Sequence, residues 1–324
     1  MPMTSVSVSI LTHDRPRELL ECVNSLIEQT VLPKEIIIVD SSTKNINDVL
    51  SKIVDNVKRK SIQIKIVKGN PYSVSICRNQ GLEAVSCEFV LICDDDVIFD
   101  KHYIETMLKT FKKYPQFIGL QGSTLSKSHN RRSLFLFVYW SLLKVFFLSR
   151  VDPLEQKVLP SGFVTMTSAK GETPTNAEWL ISNNMMFKTQ LIKKFKFDER
   201  MMRYEDVDFT FRINKAYPNS LGIVKDAKIV DEHMSSKARD QTKIITGFVF
   251  SHAYFFFKNL KKRPYELLAF SISRFGFLII KGLIPLFLHR NSKEFLACLN
   301  ALLFSYYFCL IALKKRPQQI HALQ

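Results

Sequence analysis

The stretch Phe89–Asp100, FVLICDDDVIFD, ends a short apolar run in three consecutive aspartates, Asp94, Asp95 and Asp96. Phe89 to Cys93 read as a buried strand, because the run is apolar and too short for helical periodicity. Open α/β sheets hold their ligands outside the carboxyl ends of the strands. Extended backbone would point Asp94 and Asp96 to one side and Asp95 to the other. Three adjacent negative charges need a compensating cation or a set of donors. Mg²⁺ takes one or two carboxylates plus substrate phosphates, and Mn²⁺ also accepts oxygen ligands. The chemistry implied is a metal–diphosphate site. The competing reading is a solvated acidic turn that caps the next helix.

Three further clusters carry groups that could meet those acids. YEDVDF, Tyr204–Phe209, opens a helix. One of Glu205, Asp206 or Asp208 could act there as a general base, although acids in a first helical turn also simply complement the macrodipole. His233 follows a strand at Ala227–Val230. A lone histidine is more often structural than a ligand, but imidazole suits Mn²⁺ better than Mg²⁺. Arg78, beside Asn79, offers a fork for phosphate, against the plain alternative of a surface arginine on a basic chain. Asp40 could accept hydrogen bonds from a nucleobase or ribose, or serve as a helix cap or turn former.

These residues need elements to position them. Val6–Leu11 reads as the first strand. In THDRP, which follows, Asp14 is placed to N-cap and Pro16 sits near the first helical position. Leu19, Leu20, Val23, Leu26 and Ile27 make a helical stripe. Glu35–Asp40 is a second strand, and Val49, Leu50, Ile53 and Val57 mark a second helix. Ile62–Val67, a helix at Ser73–Val85, the aspartate strand, a helix around Ile104–Tyr114 and a strand at Phe117–Gln121 complete the series. Alternating βα units of this length predict an α/β fold with a mostly parallel, doubly wound sheet.

After Gly122 the pattern breaks. An apolar run at Ser133–Ser149, preceded by Arg131 and Arg132, reads as a core or interfacial helix, and Asp152–Asn176 as a loop. Regular structure resumes at Glu178–Phe187 and in a helix at Tyr204–Ala216. Composition shifts again from Ile244, so the expected division is 1–240 for the α/β domain and 241–324 for a helical region. There, Glu266–Leu288 and Phe295–Leu313 are long enough to span a bilayer. Arg274 and Lys281 lie seven residues apart in the first, on one helical face, as in an interfacial amphipathic helix. The expectation is a monotopic association with the cytoplasmic face of the cell membrane, with a short hairpin as the alternative.

Composition narrows the field. The chain has 324 residues, 46% of them hydrophobic, and a formal net charge of +16. That excess implies an anionic partner. No basic run interleaved with aromatics points to nucleic acid, and polybasic segments beside apolar helices fit a lipid surface better. The six cysteines form no CxxC pair and read as core thiols of a reducing compartment. No charged segment followed by an apolar one opens the chain, so no signal peptide is expected.

The pieces SILTHDRP, EIIIVDSS, SICRNQGLEA, FVLICDDDV, EWLISNNMMF, YEDVDFTFRI and the histidine of DEHMSS, in this order, resemble a family 2 glycosyltransferase over residues 6 to about 235. The resemblance implies a GT-A fold, Rossmann-like, and a nucleotide-diphospho-sugar donor. It implies donor contacts at Thr12, Asp40, Arg78, Asp94 and Asp95, and metal contacts for Mg²⁺ or Mn²⁺ at Asp94, Asp96 and His233. Asp206 matches the base of inverting members. Trp179 and the Asn183–Asn184 pair match the acceptor-side segment, where members often carry glycine and this chain has Ser182 or Asn183. A glycan or lipid-linked glycan acceptor and an anionic membrane surface complete the implied partners. GT-A folds also host retaining enzymes, so inversion follows from the family likeness and not from the fold. Two rival readings are phosphoryl transfer of the haloacid-dehalogenase type, which also sets DxD after a buried strand, and a catalytically silent membrane-bound scaffold.

Overall fold

Apolar runs that bury both faces of a strand build the centre of this protein. A computed structural model describes residues 5–124, 156–166, 173–231, 241–283, 286 and 292–314, with side chains to residue 305. The chain divides into two units. The first comprises Met1–Ser126, Thr167–Glu199 and Phe209–Ser236. The second comprises Lys127–Met166, Arg200–Asp208 and Lys237–Gln324.

In the first unit, β1 (Val6–Thr12), β2 (Glu35–Asp40), β3 (Gln63–Lys68) and β4 (Phe89–Asp94) run parallel in the order β3-β2-β1-β4. Beyond β4 the sheet becomes mixed. Strand β8 (Asn184–Lys188) is antiparallel to β4 and to β6 (Gly119–Thr124), and β6 runs parallel to β9 (Leu221–Asp231). Two short strands, β5 (Val97–Phe99) and β7 (Thr175–Ala177), lie antiparallel on β9. Strand β9 starts well before the expected Ala227–Val230, since its exposed Lys225, Asp226 and Lys228 break the apolar signal.

Alternation sorts the strand residues between two layers. Val8, Ile10, Ile36, Ile38, Leu91 and Cys93 pack with α1 (Pro16–Ile27), α2 (Asn47–Arg59) and α4 (Tyr103–Lys113). Ile37, Val39, Val90 and Ile92 pack with Cys77 of α3 (Val74–Ala84), Ile192 of α5 (Thr189–Ile192) and Phe209 and Ile213 of α6 (Glu205–Ala216). Gly81 lets α3 lie close on β1, where a Cβ would strike the Ser9 hydroxyl. Ser73 caps helix α3, its Oγ accepting from the Ile76 N–H at 3.3 Å.

Helix α1 is not capped by Asp14. Pro16 is its first residue and Arg15 its N-cap, without a side-chain cap bond. Asp14 adopts φ 54°. Its carboxylate instead accepts from the N–H groups of Thr43 and Lys44 and from the Thr43 hydroxyl, fastening the loop after β2.

The second unit holds α7 (Gln241–Asn259), α8 (Pro264–Leu278), a π-helical turn at Ile279–Leu283 and α9 (Ser292–Lys314). Ile245, Val249, Phe277, Cys298 and Ala301 form its core, with Phe163 and Phe248 against it. Arg274 does not share a face with Lys281. It is buried, lies 4.9 Å from the centre of the Phe270 ring and donates to Ser305 Oγ, whereas Lys281 is exposed. Lys281 lies within the wider π turn, which shifts the helical register relative to Arg274 in α8. Among the described residues no helix is long and apolar enough to cross a membrane. The run Ser133–Ser149 lies outside the described residues. Cys22, Cys77, Cys87, Cys93 and Cys298 are buried free thiols.

Candidate active site at the strand ends

Strand β4 is held on both sides, by β1 and by β8, and ends at Asp94. Asp95 and Asp96 form a turn into β5. The turn breaks the alternation that would have set Asp94 and Asp96 together. Asp95 and Asp96 instead share one cation: Arg15 Nη1 lies 3.1 Å from Asp95 Oδ1 and 2.6 Å from Asp96 Oδ2. Thr12 Oγ1 donates to Asp95 Oδ2 at 2.7 Å. Asp94 faces another cation, accepting from Arg78 Nη2 at 2.8 Å.

Burial decides the electrostatics of this turn. Both acid side chains shared by Arg15 are nearly inaccessible, 4% and 6% exposed, whereas Arg15 is 30% exposed. Loss of water pushes the Asp95 carboxyl up to about 7, although Thr12 and Arg15 both pull it down. The charges of Asp96 and Asp94 add to the rise. Burial works against the Arg15 charge too, but Asp95 and Asp96 outweigh it, and its pKa rises. The more exposed partner keeps its charge, and the enclosed one is easier to neutralise.

Arg78 is the fixed cation of the site. Helix α3 delivers it to the interior, where Nη2 also donates to Ser182 Oγ at 2.8 Å and the guanidinium lies 5.8 Å from the Phe197 ring centre. Asn79 donates to the Phe197 carbonyl and accepts from the Phe197 N–H, so it anchors a loop. Asp40 Oδ1 accepts from the Ser42 N–H at 2.9 Å, closing a turn at the end of β2. Trp179 is buried. Asn184 is held by the Gly122 N–H on its Oδ1 and by the Tyr103 hydroxyl on its carbonyl, and Asn183 Nδ2 donates to Asp231 at 3.2 Å.

The first turn of α6 belongs to the second unit and sorts its three acids. Asp208 is fully buried and accepts from Lys258 Nζ at 2.8 and 2.9 Å and from Asn259 Nδ2 at 2.8 Å, which makes it structural. Glu205 is buried. Asp206 is partly exposed, with Oδ1 accepting from the Val207 N–H at 2.8 Å. Tyr204 fixes the start of the turn. It holds φ 66°, which a bulky side chain rarely adopts. Its hydroxyl donates to the Gly162 carbonyl, and its ring packs edge-on against Phe248 and Phe255.

The strand-end acids offer hard oxygen donors, the set that Mg²⁺ or Mn²⁺ prefers. Among the described residues no three acidic, histidine or cysteine side chains gather as a complete metal cage. His233 lies outside the described residues. Arg15, the cation that spans two of the three acids, had no signal in the sequence beyond its place before Pro16.

Residues 7–167 match the profile of the family described as Glycosyl transferase family 2. The chain is 30% identical over 105 residues to the uncharacterized glycosyltransferase YwdF of Bacillus subtilis, covering 32% of this chain and 37% of that protein. The match thus spans little more than a third of that relative. Among solved structures it resembles S. aureus TarS residues 1–349 in complex with UDP-GlcNAc, with TM-score 0.58, 19% identity, and coverage of 98% of this chain and 83% of that one. It also resembles the mannosyltransferase PcManGT from Pyrobaculum calidifontis in complex with GDP-Man and Mn²⁺, with TM-score 0.54, 14% identity, and coverage of 98% and 86%. These two likenesses carry the fold. The sheet order and the structural likenesses agree that the protein has the GT-A fold, and its region 7–167 carries the profile of glycosyl transferase family 2.

Proposed function

We propose that the protein is a metal-dependent, inverting glycosyltransferase that moves a sugar from a nucleotide-diphospho-sugar to an acceptor hydroxyl. One observation carries the reading: three carboxylates and two guanidiniums converge where β4 ends, at the carboxyl edge of the parallel strands of the sheet. Structural neighbours described with UDP-GlcNAc and with GDP-Man and Mn²⁺ support the donor class and the choice of ion.

In this reading Asp94 and Asp96 hold the cation, with His233 as a further ligand. Arg78 steadies Asp94 and the donor diphosphate. Asp40, Thr12 and Asp95 shape the nucleoside end. A bound divalent cation supplies Lewis-acid neutralisation of the departing diphosphate. Asp206 takes the proton of the acceptor hydroxyl as its oxygen bonds to the anomeric carbon. The bond from that carbon to the diphosphate breaks, the nucleoside diphosphate leaves, and configuration inverts. The test is a panel of nucleotide-sugars incubated with the protein and Mn²⁺. Release of nucleoside diphosphate from one or a few donors is expected. Release of inorganic phosphate from phosphomonoesters instead would favour the haloacid-dehalogenase reading, and no turnover of any donor would favour a silent scaffold.

The acceptor in this proposal is a glycan or lipid-linked glycan met at an anionic membrane surface on the cytoplasmic face. The helical unit supports this with apolar side chains open to solvent, among them Leu268, Phe275, Leu303 and Phe304, each about 60% exposed. Exposed Lys261, Lys262, Arg263, Lys281 and Lys293 belong to the same helices and their connections. Each basic residue near an anionic leaflet adds about 1 kcal/mol. Sedimentation with vesicles containing phosphatidylserine should exceed that with neutral vesicles and weaken in Phe275→Glu and Leu303→Glu. Equal sedimentation of all three proteins, or self-association that those variants abolish, would remove the lipid surface as the partner.

A further inference from the structure

We propose that Arg15 is the built-in counter-cation of the Asp95–Asp96 pair and that a divalent ion binds by displacing it. The inference rests on the metal–diphosphate reading of the strand end.

One nitrogen, Arg15 Nη1, spans both acids, at 2.6 Å from Asp96 Oδ2 and 3.1 Å from Asp95 Oδ1. Hard divalent ions sit about 2.0–2.6 Å from their oxygen ligands. An ion held by Asp96 Oδ2 on the side that faces Asp95 would take the place of Nη1. Two cations cannot share it, so binding of one expels the other.

The two guanidiniums of the site differ in freedom to move. Arg78 is 4% exposed and held by Asp94 and Ser182. Arg15 is 30% exposed, stands at the N-cap of α1 rather than inside it, and extends from the loop after β1. Its head can turn to water without becoming a buried charge. Without an ion it supplies the counter-charge for two enclosed carboxylates, and removing one member of a buried ion pair destabilises a fold. Once released, it is available as a fork for donor phosphate oxygens.

The test compares Mn²⁺ binding to the full-length wild type and Arg15→Gln by calorimetry, without nucleotide, alongside melting curves with and without Mn²⁺. Removing the competitor should tighten Mn²⁺ binding about tenfold or more, as expected for loss of a charge-assisted contact. Arg15→Gln should melt below the wild type without metal and recover most of that loss when Mn²⁺ is added. In the wild type, Mn²⁺ should speed modification of Arg15 by phenylglyoxal, read by peptide mass spectrometry. This second measurement decides the matter if Arg15→Gln does not fold. Unchanged or weaker Mn²⁺ binding in Arg15→Gln, or Arg15 modification that Mn²⁺ leaves unchanged, overturns the inference while the metal site itself stands. If the wild type binds no Mn²⁺ even with donor nucleotide present, the metal reading falls and the inference falls with it.

Discussion

Two buried carboxylates at opposite ends of the same parallel strands are treated in opposite ways. Glu35 opens β2 at the amino edge of the sheet. Its Oε1 accepts from Ser7 Oγ and the Ser86 N–H, both at 2.6 Å, and from Ser86 Oγ at 2.9 Å, while Oε2 accepts from Lys65 Nζ at 2.6 Å. Burial alone would raise its pKa, but those donors together bring it down to about 2. Asp95 stands at the carboxyl edge with one hydroxyl and a share of one guanidinium, and burial carries it up to about 7. Each carboxylate has a cation, so the presence of an ion pair does not separate them. The number of donors directed at the charged form does. One end of the sheet is satisfied by the fold itself, and the other is left short of positive charge. A site for an incoming cation and diphosphate needs the second condition.

Substitutions can sharpen that contrast. The largest effect is expected at the proton-transfer step, with both carboxylate ends left intact. Asp206→Asn should lower turnover by about a hundredfold or more, with donor affinity nearly unchanged. Wild-type turnover in that variant would move the base elsewhere, with Glu205 the next candidate.

Glu35→Gln addresses the satisfied end. It should cost stability of about 2 kcal/mol, in the range of charge-assisted hydrogen bonds, measured by urea denaturation. Turnover per folded molecule should be kept. A loss of activity without a loss of stability would mean that the amino edge takes part in function.

The pH dependence should have opposite signs at the two ends. Glu35 ionises near 2 when folded against an ordinary value of 4.5. Its contribution is fully present above about 4.5 and is lost as pH falls toward 2. Asp95 ionises near 7 when folded against an ordinary 3.8. Between those values the unfolded chain has already lost the proton, so stability is lost as pH rises from about 4 to 7. Denaturation of metal-free protein across this range should show the slope in the wild type and a flatter one in Asp95→Asn. Identical slopes would place the buried proton on another group.

Much of this architecture is legible in the sequence. Strands β1, β2 and β4 are apolar runs ending beside polar or acidic residues, and the stripes Leu19–Ile27 and Leu50–Val57 match helices α1 and α2. The grouping of the acids was not legible. Strand alternation holds only while the backbone stays extended, and it stops at Asp94. Arg15 was silent because one arginine among 46 basic residues carries no local pattern, and its partners lie some eighty residues away. Arg274 misled for a related reason. A cation in an apolar helix signals a water-facing stripe, unless a partner such as Ser305 and a ring such as Phe270 receive it inside. Asp208 resembled Asp206 in sequence, and only the distant Lys258 and Asn259 mark it as structural.

The central claim is that the acids at the end of β4 work through a divalent ion on a nucleotide-diphospho-sugar. The most direct measurement is nucleoside diphosphate release from the accepted donor, for the wild type with Mn²⁺, the wild type in excess chelator, and Asp94→Ala/Asp96→Ala with Mn²⁺. Release is expected in the first case only, with the variant folded as judged by its melting curve. Undiminished release in excess chelator, or from the double variant, would contradict the role given to these acids.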